Sequence, residues 1–171
     1  MVSVTTFSVF DLLVLHPFLS GMPGPRLRQV AVHGRPVVWP AGYRVFREDA
    51  VAANFWLVTS GEVDLDFHVP GRGDVVIDSV AGGGLLGLSW LRAPYRWTTG
   101  AVCTDRCQAV EFDARGVRNL MAEDSGCGAD LTRRVTAVLG DRLRGARARL
   151  TLLGAVPPDP AGTLSRAPRD E

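Results

Sequence analysis

Between Arg35 and Asp113 the chain is cut into short β-branched and aromatic runs by turn-forming residues, and this rhythm limits the folds open to it more than any other feature. Residues 37–39, 43–46, 55–59, 63–69 and 75–80 each have the length and composition of a strand. Pro40-Ala41-Gly42, Ser60-Gly61-Glu62 and Pro70-Gly71-Arg72-Gly73-Asp74 supply the fixed or positive φ that tight turns need. Two further runs, 98–103 and 107–112, are separated by Thr104-Asp105-Arg106. Seven or eight short antiparallel strands at this spacing predict a sandwich or small barrel.

Helical spacing flanks the strands. Phe7, Phe10, Leu13 and Val14 predict a short helix over 7–15 that stops before His16-Pro17. After the breakers of Gly21-Met22-Pro23-Gly24-Pro25, Pro25 opens a second helix carrying Leu27, Val30 and Ala31, which ends near His33-Gly34. Asp113 is placed to cap a helix over 114–122, and past Asp124-Ser125-Gly126 a longer one runs from 129 to 153. Leu139, Leu143, Ala146, Leu150 and Leu153 share one seam of that helix, of the kind two copies of a chain can bury. The expected organisation is an N-terminal helical segment 1–34, a β-roll 35–113, C-terminal helices 114–153 and a disordered, Pro- and Gly-rich tail 154–171.

With 171 residues, 46% of them apolar, the chain reads as one domain able to build a core without disulfides or metal. Its 19 basic residues, all arginine, face 18 acidic ones, so a net charge of +1 gives no global field for nucleic acid or a membrane surface. Cys103, Cys107 and Cys127 are odd in number and lack zinc-site spacing, which favours reduced thiols. The opening residues have no basic leading segment and no apolar run is long enough to span a bilayer, so a cytoplasmic protein is expected.

One stretch breaks the strand rhythm. Gly82-Gly83-Gly84-Leu85-Leu86-Gly87-Leu88-Ser89-Trp90-Leu91 reads as a glycine loop feeding a short apolar helix. Amide groups at such a helix start can hold an anion, with Arg96 adding a charged fork. Alternatively, the glycines only turn the chain and the leucines and Trp90 plug the barrel.

Two sets of residues in this order carry a resemblance. His16-Pro17-Phe18-Leu19-Ser20-Gly21-Met22-Pro23 resembles an opening helix-turn, and Pro40-Ala41-Gly42-Tyr43-Arg44-Val45-Phe46-Arg47-Glu48-Asp49 with Phe55-Trp56-Leu57-Val58-Thr59-Ser60-Gly61-Glu62-Val63 resembles the first strands and turns of the cyclic nucleotide-binding domain of catabolite-activator-like (Crp/Fnr-type) bacterial regulators. The likeness covers roughly residues 10 to 153. It implies a mainly β fold with flanking helices, a double-stranded β-helix or jelly roll followed by a long C-terminal helix. In that family a Gly-Glu pair opens the phosphate-binding cassette and an Arg followed by a small residue closes it. Here the cassette-like segment is 82–99: Gly87 matches the Gly and Arg96 the Arg, while Leu88 stands in place of the Glu and Trp97 in place of the small residue.

The resemblance thus implies a non-catalytic sensory or regulatory domain with a degenerate cassette, without a cofactor, signalling through its C-terminal helix. The implied ligand is a small anion such as cyclic AMP or cyclic GMP, lying against Gly87, Leu88, Ser89, Trp90, Arg96, Trp97 and Thr98. Arg96 would grip the phosphate with help from the amides of Leu88, Ser89 and Trp90. The seam implies a homodimer or partner protein. The helix-turn-helix that follows the long helix in full-length regulators has no counterpart here, so no DNA-binding domain is expected. Two alternatives compete: a nucleotide-independent interaction scaffold closed by Leu88 and Trp97, and a cupin-like metal enzyme, for which His16, His33 and His68 lack ligand spacing.

Overall fold

A computed structural model of the chain describes residues 7–152 and Gly154. The helices are α1 (Val9–Val14), α2 (Gly24–Ala31), α3 (Ala114–Glu123) and α4 (Ser125–Leu152), with single 3-10 turns at Pro17–Leu19 and Ser89–Leu91. Eight strands lie between α2 and α3: β1 (Gly34–Trp39), β2 (Arg44–Phe46), β3 (Asn54–Ser60), β4 (Glu62–Val69), β5 (Gly73–Ala81), β6 (Leu85–Leu86), β7 (Gly100–Cys103) and β8 (Cys107–Asp113). They form two antiparallel four-stranded sheets, ordered β1-β8-β3-β6 and β2-β7-β4-β5. This is the expected jelly roll with flanking helices and a long C-terminal helix.

Alternation along β3 separates two aromatic layers. Trp56 meets Phe46, Trp39 and Trp97, with ring centroids 5.5 to 5.9 Å away, and its indole N–H donates to Glu111 Oε2 at 2.9 Å. Phe55 points the other way and stacks on Trp90 at 4.2 Å and Phe112 at 4.9 Å. The turn between β3 and β4 needs a residue without a side chain. Gly61 has φ +84°, and a Cβ there would lie 2.7 Å from the Arg106 carbonyl oxygen. The Asp113 carboxylate caps α3, accepting from the amides of Arg115 and Gly116.

The structure differs from the sequence expectation in several element bounds. The glycine-rich stretch makes the two-residue strand β6 and one 3-10 turn rather than a helix, because Leu85 and Leu86 pair with Leu57 and Trp56 of β3. Tyr43 and residues 98–99 fall outside β2 and β7. Helix α4 starts at Ser125, where the Asp124 carboxylate caps the Cys127 amide at 2.9 Å. The chain divides into units 1–135 and 136–171. Leu153 and residues 155–171 lie outside the described residues.

His16 ties the N-terminal turn to the roll and sets a pH dependence. It is 3% exposed; its Nε2 lies 2.9 Å from the Val58 carbonyl and its Nδ1 accepts from the Phe18 amide at 3.2 Å. Only the neutral ring protonated at Nε2 satisfies both partners. Burial accordingly holds its pKa below the ordinary 6.5, the Val58 bond opposing. The unfolded chain takes up a proton at higher pH than the folded one, so the stability from neutral His16 is full above 6.5 and is lost as pH falls through the lowered value. Urea midpoints should therefore fall between about pH 7.5 and pH 5.5, and His16→Gln should flatten that slope. An equal slope in the variant would refute this role.

Candidate functional site

The cassette-like segment is built around two buried tryptophans. Gly87, directly after β6, has φ +81°, and a Cβ there would meet Trp97 Cη2 at 2.8 Å and Cζ3 at 2.9 Å. The glycine is therefore required both by its backbone and by the indole lying on it. Leu88 is half-buried against the core. Ser89–Leu91 makes one 3-10 turn in the place of the expected short helix. Trp90 is 1% exposed; its carbonyl accepts from Arg118 Nη1 of α3 at 2.7 Å, and its own Nε1 is buried without a partner.

Residues 95–97 are clipped to the loop between β2 and β3. Asp49 donates its amide to the Trp97 carbonyl at 2.9 Å, Trp97 to Ala50 at 2.9 Å and Ala52 to Tyr95 at 2.7 Å, with Arg96 bridged to Val51. Alternation across this clip decides the side-chain directions. Trp97 turns inward, 4% exposed, with its ring 4.0 Å from Phe46. Arg96 turns outward: it is exposed, and its Nη1 donates to the Asp49 carbonyl at 2.6 Å. The backbone pairing that buries Trp97 exposes its neighbour Arg96. Thr98 is exposed as well. Of the seven candidate ligand-binding residues, Gly87 and Trp97 are in contact inside the roll, whereas Arg96 and Thr98 face outward.

The roll interior beside Gly87 is filled by aromatic rings. Tyr43 stacks on Trp39, Trp39 meets Trp56 edge-on, and Trp56 and Phe46 both pack on Trp97. Trp97 thus lies on Gly87 and Phe46 inside the roll, with Trp56 beside it.

Sequence reasoning missed a polar cleft of about 310 Å³ lined by residues including Arg44, Asp66, His68 and Asp74. Arg44 Nη1 donates to both oxygens of buried Asp66, at 2.7 and 2.5 Å, and Nη2 reaches Asp74 at 3.3 Å. Gly100 stands opposite Asp66 in β7, and a Cβ there would collide with the Asp66 carboxylate and the Arg44 guanidinium. Glycine inside a strand was the only available signal.

The three cysteines are free and buried. Burial first, then Cys107 and Asp105, pushes the Cys103 thiol up to about 12; burial also raises Cys107 and Cys127. Among the described residues no three His, Cys, Asp or Glu side chains are grouped to hold a metal ion, and no helix is long and apolar enough to cross a membrane.

The family model for the cyclic nucleotide-binding domain matches residues 36–124, from β1 through the end of α3. The chain belongs to the cyclic nucleotide-binding domain family. Solved structures agree with the fold. A candidate cyclic nucleotide-binding protein from Geobacter metallireducens is 25% identical over 81% of this chain and 99% of its own, with a TM-score of 0.71. A cyclic nucleotide-binding domain from Methylobacillus flagellatus shares 15% identity over 90% of this chain and 85% of its own, TM-score 0.73. The catabolite activator protein of Thermus thermophilus shares 21% over 81% of this chain and 63% of its own, TM-score 0.64. No curated protein matches the sequence. Within this cyclic nucleotide-binding domain, the matched segment contains all of the roll but the first two residues of β1, and both cassette tryptophans.

Proposed function

We propose that the chain is a non-catalytic regulatory module of the cyclic nucleotide-binding type whose cassette is degenerate and does not grip cyclic AMP or cyclic GMP. The observation carrying this is Trp97, packed on Phe46 and Gly87 inside the roll. Two further features support it. A leucine at position 88 cannot accept a ribose hydroxyl, and leaving such a group unpaired forfeits on the order of 1–3 kcal/mol. Arg96 is bonded outward to the Asp49 carbonyl, away from Trp97.

The output passes through the C-terminal helix to a second copy of the chain. Within residues 136–152, Leu139, Leu143 and Leu150 are each about half exposed, and Ala146 is half-buried. Their spacing of four, three and four residues forms one apolar seam that a like helix can cover. A purely structural scaffold differs from this module in lacking two states, and the filled interior favours it as the second reading. The cupin-like alternative has no ligand cluster among the described residues to support it.

Calorimetry on the full chain tests the proposal. Cyclic AMP and cyclic GMP should give no binding heat up to about 1 mM, a ceiling corresponding to about −4 kcal/mol. Micromolar binding abolished by Arg96→Ala would overturn it. Light scattering tests the seam: a dimer is expected, reduced to monomer by Leu143→Arg, and a monomeric parent would sink that part.

A further inference from the structure

Residues 92–96 form an exposed loop whose two ends are held by buried rings. Trp90 lies on Phe55 before it and Trp97 on Phe46 after it. Between them the Tyr95 amide donates to the Arg92 carbonyl at 3.0 Å, and the Tyr95 carbonyl accepts from Ala52. The loop's shape is therefore set by backbone bonds and buried anchors. Its side chains remain available.

Those side chains are unusual in charge. Arg92 and Arg96 flank Tyr95, and Arg118 of α3 places its guanidinium carbon 4.2 Å from the centre of the Tyr95 ring. Arg96 and Arg118 each donate to a backbone carbonyl, which fixes the fork without neutralising it. Among the described residues none of the three arginines is ion-paired with a carboxylate. Three guanidinium ions beside one ring that is about one-third exposed, on a backbone that needs no reordering, are what a carboxylate-bearing segment binds at low entropic cost. Arg and Tyr are also the residues that concentrate binding energy at interfaces.

We infer that this loop is a docking site for a short acidic segment of a protein partner, its carboxylates received by Arg92 and Arg96 beside Tyr95. The inference goes beyond the regulatory reading and rests on it in one respect, that Arg96 is not engaged by a cyclic phosphate. A nucleic acid fits less well. The chain carries only +1 overall, so it offers no extended positive field for a long run of phosphates to track, whereas a short acidic segment needs only the local patch.

The test is a ¹⁵N-resolved NMR titration of the full chain with three probes: octaglutamate, octaglutamine and an eight-nucleotide oligothymidylate. Octaglutamate should shift signals confined to residues 92–96 and Arg118, and octaglutamine should shift none. Arg92→Ala with Arg96→Ala should weaken octaglutamate about tenfold or more, whereas Arg147→Ala should not. The variants' own spectra report whether the core is intact. No shifts, shifts centred instead on the arginines of residues 142–149, or tighter binding of the oligonucleotide would each overturn the proposal. Adding cyclic AMP to the same sample separates the two readings. A shift of the Trp97 indole signal would refute the nucleotide-free cassette, while the docking site stands or falls on octaglutamate alone.

Discussion

Replacing Trp97 by alanine is expected to lower the unfolding free energy by about 3–5 kcal/mol, the usual result of deleting a large buried aromatic. The side chain is 4% exposed and stacks on Phe46 at 4.0 Å, so its removal forfeits both transfer energy and ring contacts. Collapse cannot fill the space cheaply. Trp56 is held by its bond to Glu111, and the backbone on either side of position 97 is pinned by Asp49, Ala50 and Ala52. Trp97→Phe keeps part of the stack and should lose less. Urea denaturation measures the loss, and free indole should recover part of it by occupying an apolar cavity, as such cavities do. A loss of under about 1 kcal/mol would mean the ring is not packed as described.

The second large effect is expected at Asp66→Ala. The carboxylate is 4% exposed and both its oxygens accept from Arg44, whose side chain is only one-quarter exposed. Removing one member of such a pair leaves the other charge poorly solvated, at a cost of about 3–5 kcal/mol. Arg44 retains Asp74, which moves the expectation toward the lower end. The pairing also predicts non-additivity. Asp66→Ala combined with Arg44→Met should be less destabilising than the sum of the singles by more than about 1 kcal/mol. A single-variant loss within about 0.5 kcal/mol of zero would contradict the buried-pair account.

The sheets were legible because turn residues do their work locally. Gly42 and Gly61 mark turns by their own positive φ, and alternation between such marks identifies strands without knowledge of their partners. Strand β6 was not legible. Two leucines carry no periodicity, and only pairing with Trp56 and Leu57 makes them a strand. Helix α4 begins four residues before the apolar pattern does, since the Asp124 cap acts ahead of the first buried side chain.

Side-chain direction in the cassette-like segment was not legible. Gly87, Leu88, Arg96 and Trp97 were singled out by resemblance to a known cassette, and which of the last two is buried depends on pairing across more than forty residues of sequence. The Arg44–Asp66 pair is likewise a product of strand order, β2 and β4 being neighbours of β7 and not of each other. Arg118 carries no local mark of its role, because its partners Tyr95 and Trp90 come from a distant loop.

All four tryptophans, at positions 39, 56, 90 and 97, are at most 7% exposed. Three sit in one cluster and the fourth rests on Phe55, with an indole N–H that meets no acceptor. The chain thereby carries an intrinsic optical reporter. Its tryptophan emission originates from sheltered indoles, and a molecule that enters the roll beside them, or a motion that loosens the cassette, should perturb that light before a label is attached.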